Sequence, residues 1–379
     1  MRLLDNLNFD FLGKRKIAFM ISATLIGLSL ISLLFRGLEL GIDFKGGTEI
    51  ALNFDNPVEI SEVRELVSDI GLGNIEVKTF GGTRGVLIRT ELQEIPADVY
   101  PSILGSIDKV ISTNFPSITK SITDSSFNSV TYKISDPSVM DDLIATLIEN
   151  GFQSTHASLI EGNDEVLVTI GISDWIVENI MESFVGNHFT ILKEDRVGPK
   201  VGKELAQNSI LAVALALMVI LIYLGIRFKF TFAVGAVIAL FHDVLITLGL
   251  FSLLYGLIPG LNLDISVDVV AAFLTLVGYS INDTVVVFDR VRENVKIHKT
   301  ALLKDNINNA INKTMRRTLV TSLTTLFVVF ILLFFGGDVL RGFAFTLFFG
   351  IIIGTYSSIF VASPFVLEYA SRTKKRIEF

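Results

Sequence analysis

Apolar residues fall along this chain in six long, nearly unbroken runs, at 17–35, 208–226, 231–255, 266–288, 319–336 and 343–367. Each approaches or exceeds the roughly 20 residues that an α-helix needs to cross the ~30 Å hydrocarbon core of a bilayer. The pattern predicts six transmembrane helices, TM1 to TM6. Between the first and second lies a polar stretch, 36–207, where strand-like alternation and helix-like spacing replace one another. The remaining connections are short, apart from 289–318. The first run is too long for the apolar core of a signal peptide and has no small-residue exit, so it is expected to stay as an anchor.

Inside 36–207 the pattern repeats. Pro57 matches Pro137, Gly71 matches Gly151, Gly82 matches Gly162, and Val86, Leu87 and Ile88 match Val166, Leu167 and Val168. Each copy reads strand, helix, strand, turn, strand, with helical spacing in Val63, Leu66, Val67 and Ile70 and again in Leu143, Ile144, Leu147 and Ile148. A second helix follows each copy, near 97–114 and 174–187. Closing strands near 117–123 and 189–194 would complete two β-α-β-β-α-β units, about 42–123 and 126–195. The expected fold is a membrane α-helical bundle carrying an α+β region of the ferredoxin-like kind.

Charge orients the spans. Arg2, Lys14, Arg15 and Lys16 precede the first; Arg227 and Lys229 lie between the second and third; eight basic residues from Arg290 to Arg317 occupy 289–318; Arg372, Lys374, Lys375 and Arg376 follow the last. With six spans these all fall on one face, whereas 256–265 has no basic residue and 337–342 only Arg341. Basic loops stay inside. Residues 1–16, 289–318 and 368–379 are therefore expected in the cytoplasm, and 36–207 outside it. The exported stretch is acidic, with 27 Asp and Glu against 12 Lys and Arg over 37–205, which suits a solvated surface. The chain of 379 residues has a net charge of −7 and no basic arm for nucleic acid. It has no cysteine, which removes disulfides and thiolate chemistry. His156 and His188 are isolated, and no loop assembles an acid–base or nucleophile–base set, so a metabolic enzyme is not expected.

The candidate chemistry lies inside the bilayer. Asp283, within GYSINDTVVVFDR at 278–290, sits about 10 Å deeper than Arg290 at ~1.5 Å rise per residue. A charge there costs on the order of 2.5–3.5 kcal/mol, so it needs a partner or water. Arg317, Thr321 and Thr324 share a helix face at the start of the fifth run, beside the part of the fourth that carries Asp283. An Asp283–Arg317 pair with Thr321 as hydroxyl relay is the expected proton or ion site, with sodium as the alternative ion. A neighbouring guanidinium favours the charged carboxylate and burial the neutral one, so moving either changes protonation. His242 and Asp243 form a second candidate polar path. Adjacent side chains on a helix point about 100° apart, so the two are not expected to act on one ligand. Neither a metal nor an organic cofactor is expected. Gly350 and Gly354 suit close helix packing.

Two glycine-rich junctions flank the exported stretch, GIDFKGGT at 41–48 and VGPKVGKEL at 197–205. Together with AL-x-HD at 239–243, GYSINDTVVVFDRVREN at 278–294, RTLVTSLTT at 317–325 and GTYSSI at 354–359, they resemble the SecF family of the bacterial Sec protein-export machinery. The resemblance implies the fold of the resistance-nodulation-division (RND) superfamily. It also implies a partner, SecD, supplying six more spans, association with the SecYEG channel, and use of the proton-motive force to help draw unfolded polypeptides outward. Asp283, Arg317 and Thr321 fall on the family's proton-pathway positions. The family usually carries one ferredoxin-like periplasmic domain, and here the segment looks doubled. An RND half-transporter for lipids or small molecules is the alternative function.

Overall fold

The computed structural model describes residues 9–126, 128–157, 164–228, 230–258 and 261–373, and the chain divides into two compact units, Ile42–Lys203 and Met1–Gly41 with Glu204–Phe379. Arg2, Lys229, Lys374, Lys375 and Arg376 of the charge pattern, and Gly162 of the repeat, lie outside the described residues.

The first span, α1 (Arg15–Phe35), buries Ala18, Ser22, Ser29 and Ser32, a stripe of small residues at helical spacing. The unit that follows runs α2 (Ile42–Lys45), β1 (Gly47–Phe54), α3 (Ile60–Asp69), β2 (Ile75–Thr79), β3 (Gly85–Thr90), α4 (Tyr100–Asn114) and β4 (Lys120–Ser126). It continues with β5 (Ser129–Ile134), α5 (Met140–Glu149), β6 (Gln153–His156), β7 (Glu165–Thr169), α6 (Ile172–Ser183) and β8 (Phe189–Val197). Along the chain this is β-α-β-β-α-β twice, but the closing strands are not where the repeat would put them. The two antiparallel sheets have the orders β2-β3-β1-β8 and β4-β5-β7-β6. Strand β4, expected beside β1, pairs instead with β5, from Lys120↔Ile134 to Ser126↔Ser129. Strand β8, expected beside β5, pairs with β1, from Gly47↔Val197 to Phe54↔Phe189. The reason lies in loop length: only two residues separate β4 from β5, and a hairpin closes at the least entropy cost. With β4 taken, the edge of β1 is left for β8.

One apolar core runs through both halves, joining Ile50, Leu52, Phe54, Val63 and Ile88 to Val130, Tyr132, Leu143, Val168 and Ile180. Trp175 Nε1 on α6 donates to the carbonyl of Ile70, next to α3, at 3.1 Å, fastening one half to the other. The two junction motifs also meet within this unit. Gly46 and Gly47 have φ of +79° and +126°, and a Cβ on Gly47 would lie 2.3 Å from the Thr90 carbonyl oxygen. A Cβ on Gly202 would lie 3.1 Å from the Gly46 nitrogen. The glycines thus let these backbone segments approach closely within the unit.

The other spans are α7 (Pro199–Arg227), α8 (Phe230–Leu254), α9 (Val267–Ile297), α10 (Leu303–Phe335) and α11 (Arg341–Ser357). The last continues through a π-helical turn (Ser358–Ala362) into α12 (Ser363–Thr373). Among the described residues six helices are long and apolar enough to cross a membrane, as expected. The stretch 289–318, expected as a loop, is helical except at 298–302, because α9 and α10 extend as a hairpin. Asparagines tie the hairpin: Asn294 Nδ2 donates to the Asn306 carbonyl at 3.1 Å, and Asn306 Nδ2 to that of His298 at 3.3 Å. Gly350 brings α11 onto α9, where its Cβ would lie 2.5 Å from Leu276.

Candidate functional site

The buried face of α9 is drawn by residues three and four apart, from Val269 through Phe273, Leu276 and Ser280 to Asp283, Val287 and Val291. Asp283 lies on that face and is 3% exposed. Ser322 Oγ on α10 donates to Asp283 Oδ2 across a long 3.4 Å, and the same hydroxyl shares a 2.8 Å hydrogen bond with Thr355 Oγ1 on α11. Three helices therefore converge on this carboxylate.

The expected contact with Arg317 is not formed. Among the described residues no ion pair joins Arg317 to Asp283, and Arg317 is exposed. The buried line of α10 runs Ile311, Thr314, Met315, Thr318 and Ser322, so Arg317 lies off that line, although its charge is near enough to act on Asp283. Thr321 Oγ1 donates back to the Arg317 carbonyl at 2.8 Å instead of reaching the carboxylate. Tyr279 OH, one turn before Asp283, donates to the Thr321 carbonyl at 2.8 Å and shares a hydrogen bond of equal length with Thr325 Oγ1. Ser322 and Thr355 are the partners that sequence reasoning missed. Ser322 was visible inside RTLVTSLTT, but nothing local says which of that stretch's hydroxyls faces inward.

A second polar cluster lies one helical turn away on α9. Asp243 is 1% exposed, and its Oδ2 accepts from Ser280 Oγ at 2.7 Å and Ser357 Oγ at 2.8 Å. His242 Nδ1 bonds Asp243 Oδ1 at 2.9 Å, contrary to the divergence expected for adjacent helix positions. Rotation about their side-chain bonds brings the two together although their Cβ atoms diverge. His242 Nε2 reaches Ser22 Oγ at 3.1 Å, Ser22 Oγ meets Tyr356 OH at 3.2 Å, and Tyr356 OH donates to the Ala18 carbonyl at 2.8 Å. Gly354 makes room, since its Cβ would lie 3.1 Å from Ser280 Cβ and 3.5 Å from Asp243 Oδ2. The cluster ties α1, α8, α9 and α11 together.

In the α+β unit, burial pushes the Glu178 carboxyl up from 4.5 to about 8, the nearby Glu182 adding to the rise and a hydrogen bond with Ser106 opposing it. Glu178 Oε2 is buried without a hydrogen-bond partner among the described residues. Burial together with the charge of Glu194 pushes Asp174 up to about 6. His156 pairs with Asp141 at 2.9 Å on the surface. Among the described residues no cluster of His, Asp and Glu could hold a metal ion.

Six spans among the described residues, two buried aspartates within them and an α+β unit after the first make this a multi-pass membrane protein. Residues 176–372 match the model for "Protein export membrane protein SecD/SecF, C-terminal", and residues 31–58 match the SecD/SecF GG motif. The chain is 40% identical over 376 residues to the protein translocase subunit SecF of Rhodothermus marinus, covering 99% of this chain and 98% of that one. To the SecF of Koribacter versatilis it is 36% identical over 386 residues, covering 97% and 93%. The chain belongs to the SecF family of protein translocase subunits. Its fold matches the crystal structure of SecDF, a translocon-associated membrane protein from Thermus thermophilus, with TM-score 0.70 at 29% identity. That match covers 98% of this chain and 40% of the SecDF chain, so this chain spans about two fifths of that protein's length.

Proposed function

We propose that this chain acts with a SecD partner at the SecYEG channel of the bacterial inner membrane. There it uses the proton-motive force to help draw unfolded polypeptides outward, and Asp283 takes up and releases the proton. The carrying observation is the contrast between Asp243 and Asp283, the two buried aspartates among the described residues. Asp243 is held by two serine hydroxyls and a histidine, all within 2.9 Å, whereas Asp283 has one hydrogen bond, at 3.4 Å. A fully bonded carboxylate resists any change of charge or position. A sparsely bonded one changes protonation with little rearrangement, so His242 and Asp243 serve as the fixed frame and Asp283 as the exchanging group.

When Asp283 is neutral, the Ser322 hydroxyl turns to Thr355 and α10 is released. When it is charged, it draws the Arg317 guanidinium inward, past Thr321. Each proton falling through 100 mV supplies roughly 2.3 kcal/mol, enough to bias a two-state bundle by more than tenfold. SecD would supply the remaining spans. The basic loops support cytoplasmic termini and a periplasmic place for Ile42–Lys203.

The test is export of a precursor into membrane vesicles that carry the chain and its partner, under imposed pH and sodium gradients applied separately. Only the pH gradient is expected to stimulate export, and Asp283→Asn to remove that stimulation without changing export in its absence. Full stimulation in Asp283→Asn, or a response to sodium alone, would end the proton reading.

A further inference from the structure

Helix α7 is barely buried along its apolar length, and behind it, against α8 and α9, lies a crevice of about 150 Å³. Val213, Leu217, Val244, Leu248, Phe273 and Val277 wall it, and its surface is apolar throughout. Every wall belongs to a membrane-crossing helix or its outer end, and the crevice is open along one side. Water would find none of the two to four polar partners that hold it in a cavity. An empty gap would strip its lining atoms of dispersion contacts. The wall on α9 runs from Val270 to Val277, about 10 Å along the axis at ~1.5 Å per residue. That falls within one leaflet, whose hydrocarbon half is roughly 15 Å deep. A helix of another subunit, about 10 Å across with its side chains, is too wide to enter.

We propose that this crevice holds one acyl chain of a membrane phospholipid, entering from the leaflet on the side of the 256–265 connection. The site is independent of the driving ion. A tail there lies beside Val244 and Val277, next in sequence or one turn from Asp243 and Ser280, and closes a dry wall against that cluster.

The experiment uses the full chain, purified in detergent and titrated with a phospholipid brominated along its acyl chains, which quenches tryptophan on contact. Trp175, the chain's single tryptophan, lies in the α+β unit and supplies an unquenched baseline. Phe273→Trp places a reporter on the crevice wall with little change in bulk, and Phe241→Trp places one on the lipid-facing side of α8, where Phe241 is 65% exposed. Phe273→Trp is expected to lose its added emission at near-stoichiometric lipid, and Phe241→Trp only at several-fold higher lipid. Ala216→Phe, or Val213→Phe should the first variant not fold, is expected to fill the crevice and abolish the early phase. Equal quenching of both reporters at every lipid ratio, no quenching at Phe273→Trp, or an early phase that survives the filling variants would overturn the proposal.

Discussion

Two aspartates on neighbouring buried faces meet opposite fates because of the hydroxyls around them. Replacing Asp243 with Ala leaves Ser280 Oγ and His242 Nδ1 buried without their partner, while Ser357 Oγ can still donate to the Gly354 carbonyl at 3.1 Å. Each such loss costs about 1–3 kcal/mol, so Asp243→Ala should lower the thermal midpoint of the bundle by the equivalent of at least about 2 kcal/mol. Asp283→Asn, which breaks one long bond, should stay within about 1 kcal/mol of wild type on the same melt while abolishing the gradient response. In the α+β unit, Glu178 holds its proton more tightly folded than unfolded, because its carboxyl rises from 4.5 to about 8. The stability this confers is complete below the ordinary carboxyl range and is lost as pH climbs towards 8. Asp174, at about 6, acts in the same direction over a lower window. Between about pH 5 and 8 wild type should lose on the order of 2–4 kcal/mol from Glu178, and Glu178→Gln should flatten that slope. Trp175 emission, three residues away on α6, reports the unfolding; an unchanged slope in the variant would mean the carboxyl is not the source.

At the scale of elements, the spans were legible because an apolar run of about 20 residues is long enough to cross hydrocarbon and too long to hide easily from water. The glycines of α11 also announced close packing, and Gly350 and Gly354 do sit against Leu276 and Ser280. What the sequence concealed was the direction each helix faces. Arg317 and Thr321 shared a face with the right depth for Asp283, yet the buried line of α10 passes through Thr318 and Ser322. A rotation of one residue decides this, and it depends on neighbours that helical spacing does not name. The serines of α1 were equally silent: Ser22, Ser29 and Ser32 make sense only against His242, Gly249 and Ser252 of α8. A Cβ on Gly249 would lie 2.1 Å from Ser29 Oγ and 2.7 Å from its Cα, and backbone cannot move aside as a long side chain can. Gly249→Val should therefore push α1 off α8 and cost about 1–3 kcal/mol or more. A cysteine pair placed at Ser32 and Ser252, whose hydroxyls are 2.9 Å apart, should cross-link readily in the parent and poorly in Gly249→Val.

At the scale of the molecule, the doubled α+β unit is more than two copies in series. The repeat was readable from matched prolines, glycines and β-branched runs, because local spacing fixes each strand and helix. Strand partnership is a long-range choice, and there the repeat misled: each half completes its sheet with the other's last strand. Neither half can unfold alone without opening the other, since losing the first sheet strips β8 of its place and losing the second strips β4. The shared core and the Trp175–Ile70 hydrogen bond add to that coupling. Ile88 lies in the core of the first sheet and Leu143 on the helix covering the second, and both are fully buried. Ile88→Ala and Leu143→Ala should each destabilise by about 2–5 kcal/mol. If the two sheets with their covering helices were independent, Trp175 emission from α6, which packs on α3 and β1 of the first sheet, would sense Ile88→Ala and ignore Leu143→Ala. Interleaved strands instead require that both substitutions shift one and the same denaturant transition, with its steepness unchanged, because the surface exposed on unfolding is that of the whole unit. A second transition appearing in Ile88→Ala would mean that the exchanged strands do not bind the halves into one cooperative body.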